Sequence, residues 1–99
     1  MVTVTRTTAI APGKLGDATA YANQIAEFVK EKYSQTVEVL MPFAGNPYRI
    51  AWGLNFESVA QREAFTAKLL ANPDCLAMSA SGHANFLPGS VHDEIWRTI

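Results

Sequence analysis

The stretch YRIAWGLNF, residues 48–56, decides the fold, because its side chains alternate between large apolar and small or polar. One parity carries Tyr48, Ile50, Trp52, Leu54 and Phe56, and the other carries Arg49, Ala51, Gly53 and Asn55. A period of two is typical of a β-strand with one face on a core. The run TVEVLMPF, residues 36–43, alternates in the same way, and a turn-forming AGNP segment separates the two. The two runs predict a β-hairpin with a four-residue loop.

Outward from this hairpin, the chain alternates between helical and extended patterns. Residues 2–10 are rich in Thr and Val and predict a strand, and residues 14–33 repeat apolar side chains at helical spacing. Ser58 and Gln61 form a capping box that opens a helix running to about Ala71. Residues 74–82 allow another short helix, and residues 90–98 alternate as a last strand. The order βαββαβ predicts an α+β, ferredoxin-like domain over residues 1–99, with two helices on one face of a four-stranded antiparallel sheet.

The composition excludes several classes of protein. Eight Lys and Arg against nine Asp and Glu give a net charge of −1, and the basic residues form no tract. We therefore expect no nucleic-acid partner and no anionic membrane surface. A single cysteine rules out an internal disulfide and a cysteine metal cluster. The first residues do not resemble a signal peptide, and no apolar run approaches the roughly 18 residues of a membrane span. The expected location is the cytoplasm.

The second face of the sheet carries an unusual set of side chains. It is rich in small and moderately apolar residues, namely Thr3, Thr5, Thr7, Leu40, Arg49, Ala51, Gly53 and Asn55. A wet sheet face normally carries more Lys and Glu. Small side chains let a second sheet approach to about 10 Å. The pattern favours a homodimer through this face, and an ordinary solvent-facing sheet is the alternative.

The segments PFAGNPYRIAWGLNFES, AFTAKLLANPD and FLPGSVHDEIWRTI carry a resemblance to a known superfamily. The chain resembles the dimeric α/β barrel superfamily, and within it the NIPSNAP-like and antibiotic-biosynthesis-monooxygenase-like proteins. The resemblance covers nearly the whole chain in element order and size. It implies a dimeric α/β barrel with a pocket in each subunit between the sheet and its helices.

The same resemblance implies a range of activities. Such proteins host cofactor-independent oxygenation of aromatic compounds, polyketide cyclisation, lactone isomerisation and haem degradation, and several have no assigned activity. Fold alone does not choose among these. We expect no cofactor, with haem left open because haem degradation is among these activities.

The last segment places His92, Asp93 and Glu94 side by side. In a strand, His92 and Glu94 point to one face with Trp96, and Asp93 points to the other, which excludes a metal site with all three as ligands. His92 and Glu94 remain candidates for an acid/base pair or for two metal ligands. The alternative is cross-strand pairing at a sheet edge or subunit contact.

Arg6 lies on the parity of β-strand residues that faces the helices, as Asp93 does. If the first and last strands pair, Arg6 and Asp93 approach each other across the ladder. One interpretation is a structural ion pair. The other is that Arg6 lines the pocket and holds an anionic or carbonyl oxygen, with Asp93 in the pocket wall.

The remaining candidates lie in loops and on apolar faces. His83 follows Gly82 in a loop and is a candidate general base, although most loop histidines face solvent. Tyr21, Tyr48 and Trp52 belong to the core or line a pocket that stacks a planar ligand. Cys75 has no neighbouring cation in the sequence to lower its pKa, so it is expected to be inert.

Two hypotheses for function follow. The first is a small cofactor-independent enzyme, monooxygenase- or cyclase-like, acting on an apolar aromatic or carbonyl compound, with His83, His92 and Arg6 as candidate catalytic residues. The second is a non-catalytic dimeric module that binds a small apolar ligand or another protein, favoured by the absence of a convergent catalytic motif.

Overall fold

A computed structural model describes all residues, 1–99. Its elements follow in the order β1 Val2–Ala9, α1 Leu15–Tyr33, β2 Glu38–Leu40, β3 Arg49–Phe56, α2 Val59–Leu70, α3 Pro73–Ser81 and β4 His92–Arg97. One 3₁₀ turn, His83–Asn85, lies between α3 and β4. The predicted α+β order is confirmed, and the short third helix is present.

The four strands form one antiparallel sheet in the order β2-β3-β1-β4. The first and last strands are therefore neighbours, as the ferredoxin-like arrangement requires. Val2 lies opposite Phe56 and Val4 opposite Leu54, so the apolar parities of β1 and β3 share one face. The helices cover this face.

Two apolar clusters hold the helices on the sheet. In the first, Ala18 and Ala22 of α1 are completely buried against Ile10, Ile50 and Trp52. Alanines at this spacing bring the α1 backbone close to the sheet, and the Trp52 indole N–H donates to the Ala22 carbonyl at 3.3 Å. The second cluster joins Val2, Val4 and Phe56, with Phe65 of α2 packed on it. The Phe56 and Phe65 rings lie 5.4 Å apart.

The helix ends follow the sequence signals. The Ser58 hydroxyl accepts the Gln61 backbone N–H at 3.1 Å, and the Gln61 side chain accepts the backbone N–H of Glu57 at 2.7 Å. The reciprocal bond thus reaches one residue further back than in the usual capping box. Asn72 caps α3 by accepting the N–H groups of Asp74 and Cys75.

The predicted hairpin is wrong in its boundaries. β2 contains only Glu38–Leu40, and residues 41–48 form a loop twice as long as the predicted one. Pro42 and Pro47 lack the N–H that a strand ladder needs, and Gly45 has a φ of 93°. Asn46 closes the loop locally by accepting the Tyr48 N–H at 2.9 Å.

The other face of the sheet has no layer on it. Only 11 of the 99 residues are buried, and Trp96 and Leu40 on this face are 60% and 43% exposed. We call it the open face: Thr3, Thr5, Thr7 and Ala9 of β1, Glu38 and Leu40 of β2, Arg49, Ala51, Gly53 and Asn55 of β3, and His92, Glu94 and Trp96 of β4. None of the helices combines the length and the apolar character needed to cross a bilayer. The cytoplasmic location stays a prediction.

Candidate functional site

Arg6 and Asp93 form a bidentate ion pair across β1 and β4. The two residues are direct partners in the strand register. The Arg6 Nε donates to Asp93 Oδ1 at 2.7 Å, and the second guanidinium nitrogen donates to Oδ2 at 2.8 Å. The pair faces the helix side, yet the side chains are 52% and 32% exposed. Since both side chains touch solvent, the helices do not fully cover this part of the sheet.

Arg62 of α2 lies beside this pair. A guanidinium nitrogen of Arg62 is 4.0 Å from Asp93 Oδ2, and the Arg62 side chain is 25% exposed. α2 therefore extends over the β1–β4 pair and brings a second cation to the same carboxylate.

Tyr21 of α1 and Ser79 of α3 complete the group. The Tyr21 ring packs edge-on against Phe86, with ring centroids 5.7 Å apart. Gly82, just after α3, lies directly under this ring, and a Cβ at that position would overlap it. We call the partly solvent-exposed group of side chains Arg6, Arg62, Asp93, Tyr21 and Ser79 the arginine cleft.

The pKa values in the cleft are shifted by identifiable neighbours. The hydrogen bonds from Arg6 hold the pKa of Asp93 below its ordinary value and raise the pKa of Arg6. Burial raises the pKa of Tyr21, while the nearby Ser79 hydroxyl acts in the opposite direction. Burial also raises the pKa of the Cys75 thiol. At neutral pH the cleft thus holds an ionised Asp93 and a protonated Tyr21 phenol, and the neighbouring Cys75 thiol is not activated.

Both histidines lie outside the cleft. His83 starts the 3₁₀ turn and is exposed, and no hydrogen bond involves its side chain. His92 lies on the open face with its Nε2 4.0 Å from a carboxylate oxygen of Glu94 and its side chain 68% exposed. No group of three His, Cys, Asp or Glu side chains comes together in metal-binding geometry. His92 and Glu94 therefore form a pair at the sheet surface, and the split parity of the HDE run is as predicted.

The predicted aromatic pocket residues do not form one site, because Tyr21 and Trp52 both pack against Phe86 whereas Tyr48 lies apart. Trp52 is buried in the core cluster and faces Phe86 edge-on at 6.0 Å. Tyr48 lines a surface pocket of about 330 Å³ at the end of β1, with Ile10 and Leu87. A second pocket of about 180 Å³ lies beside the open face, between Leu40, Met41 and Arg49. Neither pocket contains Arg6, His83 or His92. Of the predicted site residues, the structure thus brings Arg6, Asp93 and Tyr21 together.

Arg62 and Ser79 were not among the residues predicted from the sequence. Arg62 precedes Phe65 by three residues and Leu69 by seven, which places it on the inward stripe of α2. A charged residue on an apolar stripe is the signal that identifies it. Ser79 follows Cys75 by four residues on α3, but no pattern in the sequence separates it from the neighbouring serines.

The arrangement can polarise an oxygen atom of a ligand. A neutral phenol and a guanidinium are hydrogen-bond donors, and donors in a partly desolvated site stabilise negative charge that develops on a carbonyl oxygen. The cleft supplies no imidazole and no activated thiol, so Tyr21 is its candidate for proton transfer.

Comparison with known proteins places the fold. The chain superposes with a TM-score of 0.85 on an uncharacterised NIPSNAP domain protein from Burkholderia xenovorans, at 14% identity and covering 100% of this chain and 95% of that one. The fold is shared with NIPSNAP proteins. A NIPSNAP family protein of unknown function from Agrobacterium tumefaciens gives a TM-score of 0.79 at 19% identity, covering 97% of this chain and 86% of that one.

A third similar structure is described as an antibiotic biosynthesis monooxygenase. Its TM-score is 0.75 at 9% identity, with 100% of this chain and 99% of that chain covered. No family model and no curated protein matches the sequence. The predicted resemblance to the NIPSNAP-like and monooxygenase-like proteins is confirmed for the fold.

Proposed function

We propose that the chain forms a homodimer through the open face, and that each subunit uses its arginine cleft to bind and convert a small apolar aromatic or carbonyl compound without a cofactor. The observation that carries the proposal is the cleft itself. It combines the Tyr21 phenol with a half-exposed Arg6 guanidinium, next to aromatic packing and open to solvent. The reaction class is monooxygenase- or cyclase-like.

The polar side chains of the open face support the dimer. The Thr3 hydroxyl donates to Asn55 Oδ1 at 2.8 Å, and the Arg49 guanidinium donates to the Thr7 hydroxyl at 3.0 Å. Because these groups already hydrogen-bond to one another, covering them with a second sheet costs less desolvation free energy. The central Ala51 and Gly53 leave room for close approach.

The apolar and charged residues of the open face also support a dimer interface there. Trp96 and Leu40 expose much of their side chains, and Phe43 in the adjoining loop is fully exposed. The face also carries both signs of charge, with Arg49 on β3 and Glu38 and Glu94 on the edge strands β2 and β4. A face of this composition is self-complementary, as a twofold interface requires.

The chemistry of the cleft supports the enzyme. Burial raises the pKa of Tyr21, so its hydroxyl stays protonated at neutral pH and donates a hydrogen bond to a carbonyl oxygen. This bond strengthens as negative charge develops on the carbonyl oxygen, which happens when a ligand with an acidic α-hydrogen loses that proton to solvent. The resulting enolate is the electron-rich species that reacts with dissolved oxygen or with a second carbonyl group. The fold similarity to a protein named as a monooxygenase agrees with this assignment.

A non-catalytic binding module is the second candidate. It is favoured by the positions of His83 and His92, since both histidines lie outside the cleft and leave it without an imidazole base. In this function the cleft binds the apolar compound and releases it unchanged.

The experiment uses 2-acetylnaphthalene, a neutral aromatic ketone, as the probe. Equilibrium dialysis measures binding, and liquid chromatography with mass spectrometry follows conversion in air. We expect Tyr21→Phe to reduce conversion about 10²-fold, the usual effect of removing one oxyanion donor. Its affinity for the probe should change by about twofold or less, since the ring is retained.

Tyr48→Phe is the matched control, because Tyr48 lies outside the cleft and loses the same atom. Its conversion should equal that of the wild type. Binding without conversion supports the second candidate over the first, and the absence of binding by the wild type contradicts both.

A further inference from the structure

Arg62 has no hydrogen-bonded anionic partner within the chain. Its single ionic contact is the 4.0 Å approach to Asp93, and its side chain makes no hydrogen bond. Three quarters of the side chain is removed from solvent. A guanidinium has five N–H donors, and a partly desolvated cation with unused donors normally has an anionic partner.

Asp93 does not hydrogen-bond to Arg62, since the two groups are 4.0 Å apart. Both of its carboxylate oxygens already accept short hydrogen bonds from Arg6, at 2.7 and 2.8 Å. One Asp–Arg pair is neutral, so Arg62 leaves the cleft with one net positive charge. The depressed pKa of Asp93 agrees with a carboxylate that two cations surround.

The unused donors of Arg62 are not sealed in the protein interior. No fully buried side-chain nitrogen or oxygen in the structure lacks a hydrogen-bond partner. The Arg62 nitrogens without a partner are therefore in contact with solvent. The solvent-exposed part of Arg6 and the 48% exposed Ile95 lie on the same side of the sheet.

We propose that the arginine cleft binds an organic acid, with the carboxylate of the ligand on Arg62 and its apolar body towards Tyr21 and Ile95. This rests on the proposed function and names the class of its ligand. Arg62 is then the residue that determines specificity, and Arg6 is held in place by Asp93. A monoanion suits the cleft because Asp93 lies next to Arg62 and disfavours a second negative charge.

The experiment compares two ligands of the same ring, 2-naphthoate and the neutral 2-naphthamide, by isothermal titration calorimetry. For the wild type we expect the acid to bind about tenfold more tightly than the amide, the gain typical of one charge-assisted contact. Arg62→Gln should reduce this preference to about twofold or less and leave amide binding intact, which shows that the cleft is still folded.

Lys68→Gln is the matched control, since it removes one positive charge from the exposed side of the same helix. It should keep the preference for the acid. If the wild type binds both ligands equally, or Arg62→Gln keeps the preference, the inference is wrong while the proposed function stands. If the wild type binds neither ligand, the proposed function fails as well.

Discussion

The ion pair between Arg6 and Asp93 joins the edge strand β4 to the centre of the sheet. All six residues of β4 are exposed, so apolar burial contributes little to holding this strand. The bidentate pair and the backbone ladder to β1 therefore carry more of its attachment than is usual. A pair that is a third to a half exposed is still screened by solvent, which limits its contribution.

Asp93→Asn should lower the free energy of unfolding by about 1–2 kcal/mol at neutral pH. Because the pKa of Asp93 is depressed in the folded state, the stabilisation is fully present above its ordinary pKa of 3.8 and is lost as the pH falls through the lower folded value. Urea unfolding from about pH 7 to about pH 2.5 measures this, and the gap between wild type and variant should narrow only below about pH 4.

Glu27→Gln provides the control, because Glu27 is exposed on α1 and forms no ion pair. Its effect should stay within about 0.5 kcal/mol. A gap for Asp93→Asn that persists to the lowest pH, or that closes near neutrality, would contradict the role given to this pair.

The pairing of Arg6 with Asp93 could be predicted from the sequence, but the solvent exposure of the two side chains could not. Strand parity placed Arg6 and Asp93 on one face, and the βαββαβ order made their strands neighbours. Whether the pair is covered depends on how far α2 and α3 extend over β4, which no periodicity in the chain encodes. The contact of Arg62 with Asp93 depends on the same packing. The position of Arg62 on the inward stripe of α2 could be predicted from the sequence.

At the level of elements, the end of α3 fixes the position of Tyr21. Gly82 is buried with its Cα against the Tyr21 ring, and its φ of −93° is open to any residue. The requirement for glycine here is therefore one of space. α3 contributes Ser79 to the arginine cleft beside this ring.

Gly82→Ala should lower the free energy of unfolding by about 1–3 kcal/mol, because the added methyl group overlaps the Tyr21 ring. Gly16→Ala is the matched control: no atom lies within 4 Å of its added Cβ, and Gly16 is in α1. Its stability should be unchanged or higher by up to about 1 kcal/mol. Urea unfolding of both variants measures the difference, and equal effects would contradict the packing described for Gly82.

The boundaries of elements with a long hydrophobic periodicity were predicted well, and those of β2 were not. α1 and β3 have long, clean periodicities, and each end lies within one residue of the prediction. The run 36–43 has the same alternation, yet only three residues pair. Pro42 and the Asn46 turn direct the chain after β2 away from β3. The geometry of this turn, and not the alternation of side chains, therefore sets the end of β2.

At the scale of the molecule, the two faces of the sheet have different roles. One face bears the helices and the arginine cleft, and the other is left uncovered. The sequence predicted this division, because the two parities of β1 and β3 differ so sharply in side-chain size. Arg6 indicated an anionic or carbonyl oxygen as one possible partner, but the approach of Arg62 to the Arg6–Asp93 pair depends on packing that forms only in the folded chain.

A homodimer joined through the open faces, with one ligand in each cleft, is tested most directly by native mass spectrometry with excess 2-acetylnaphthalene. We expect a species of twice the 10.8 kDa chain mass carrying two probe molecules. Thr5→Lys, which places a charge at the centre of the open face, should give a single chain, whereas Ala20→Lys on the exposed side of α1 should stay dimeric. A wild-type spectrum that contains only the 10.8 kDa chain without bound probe would contradict both the interface and the cleft.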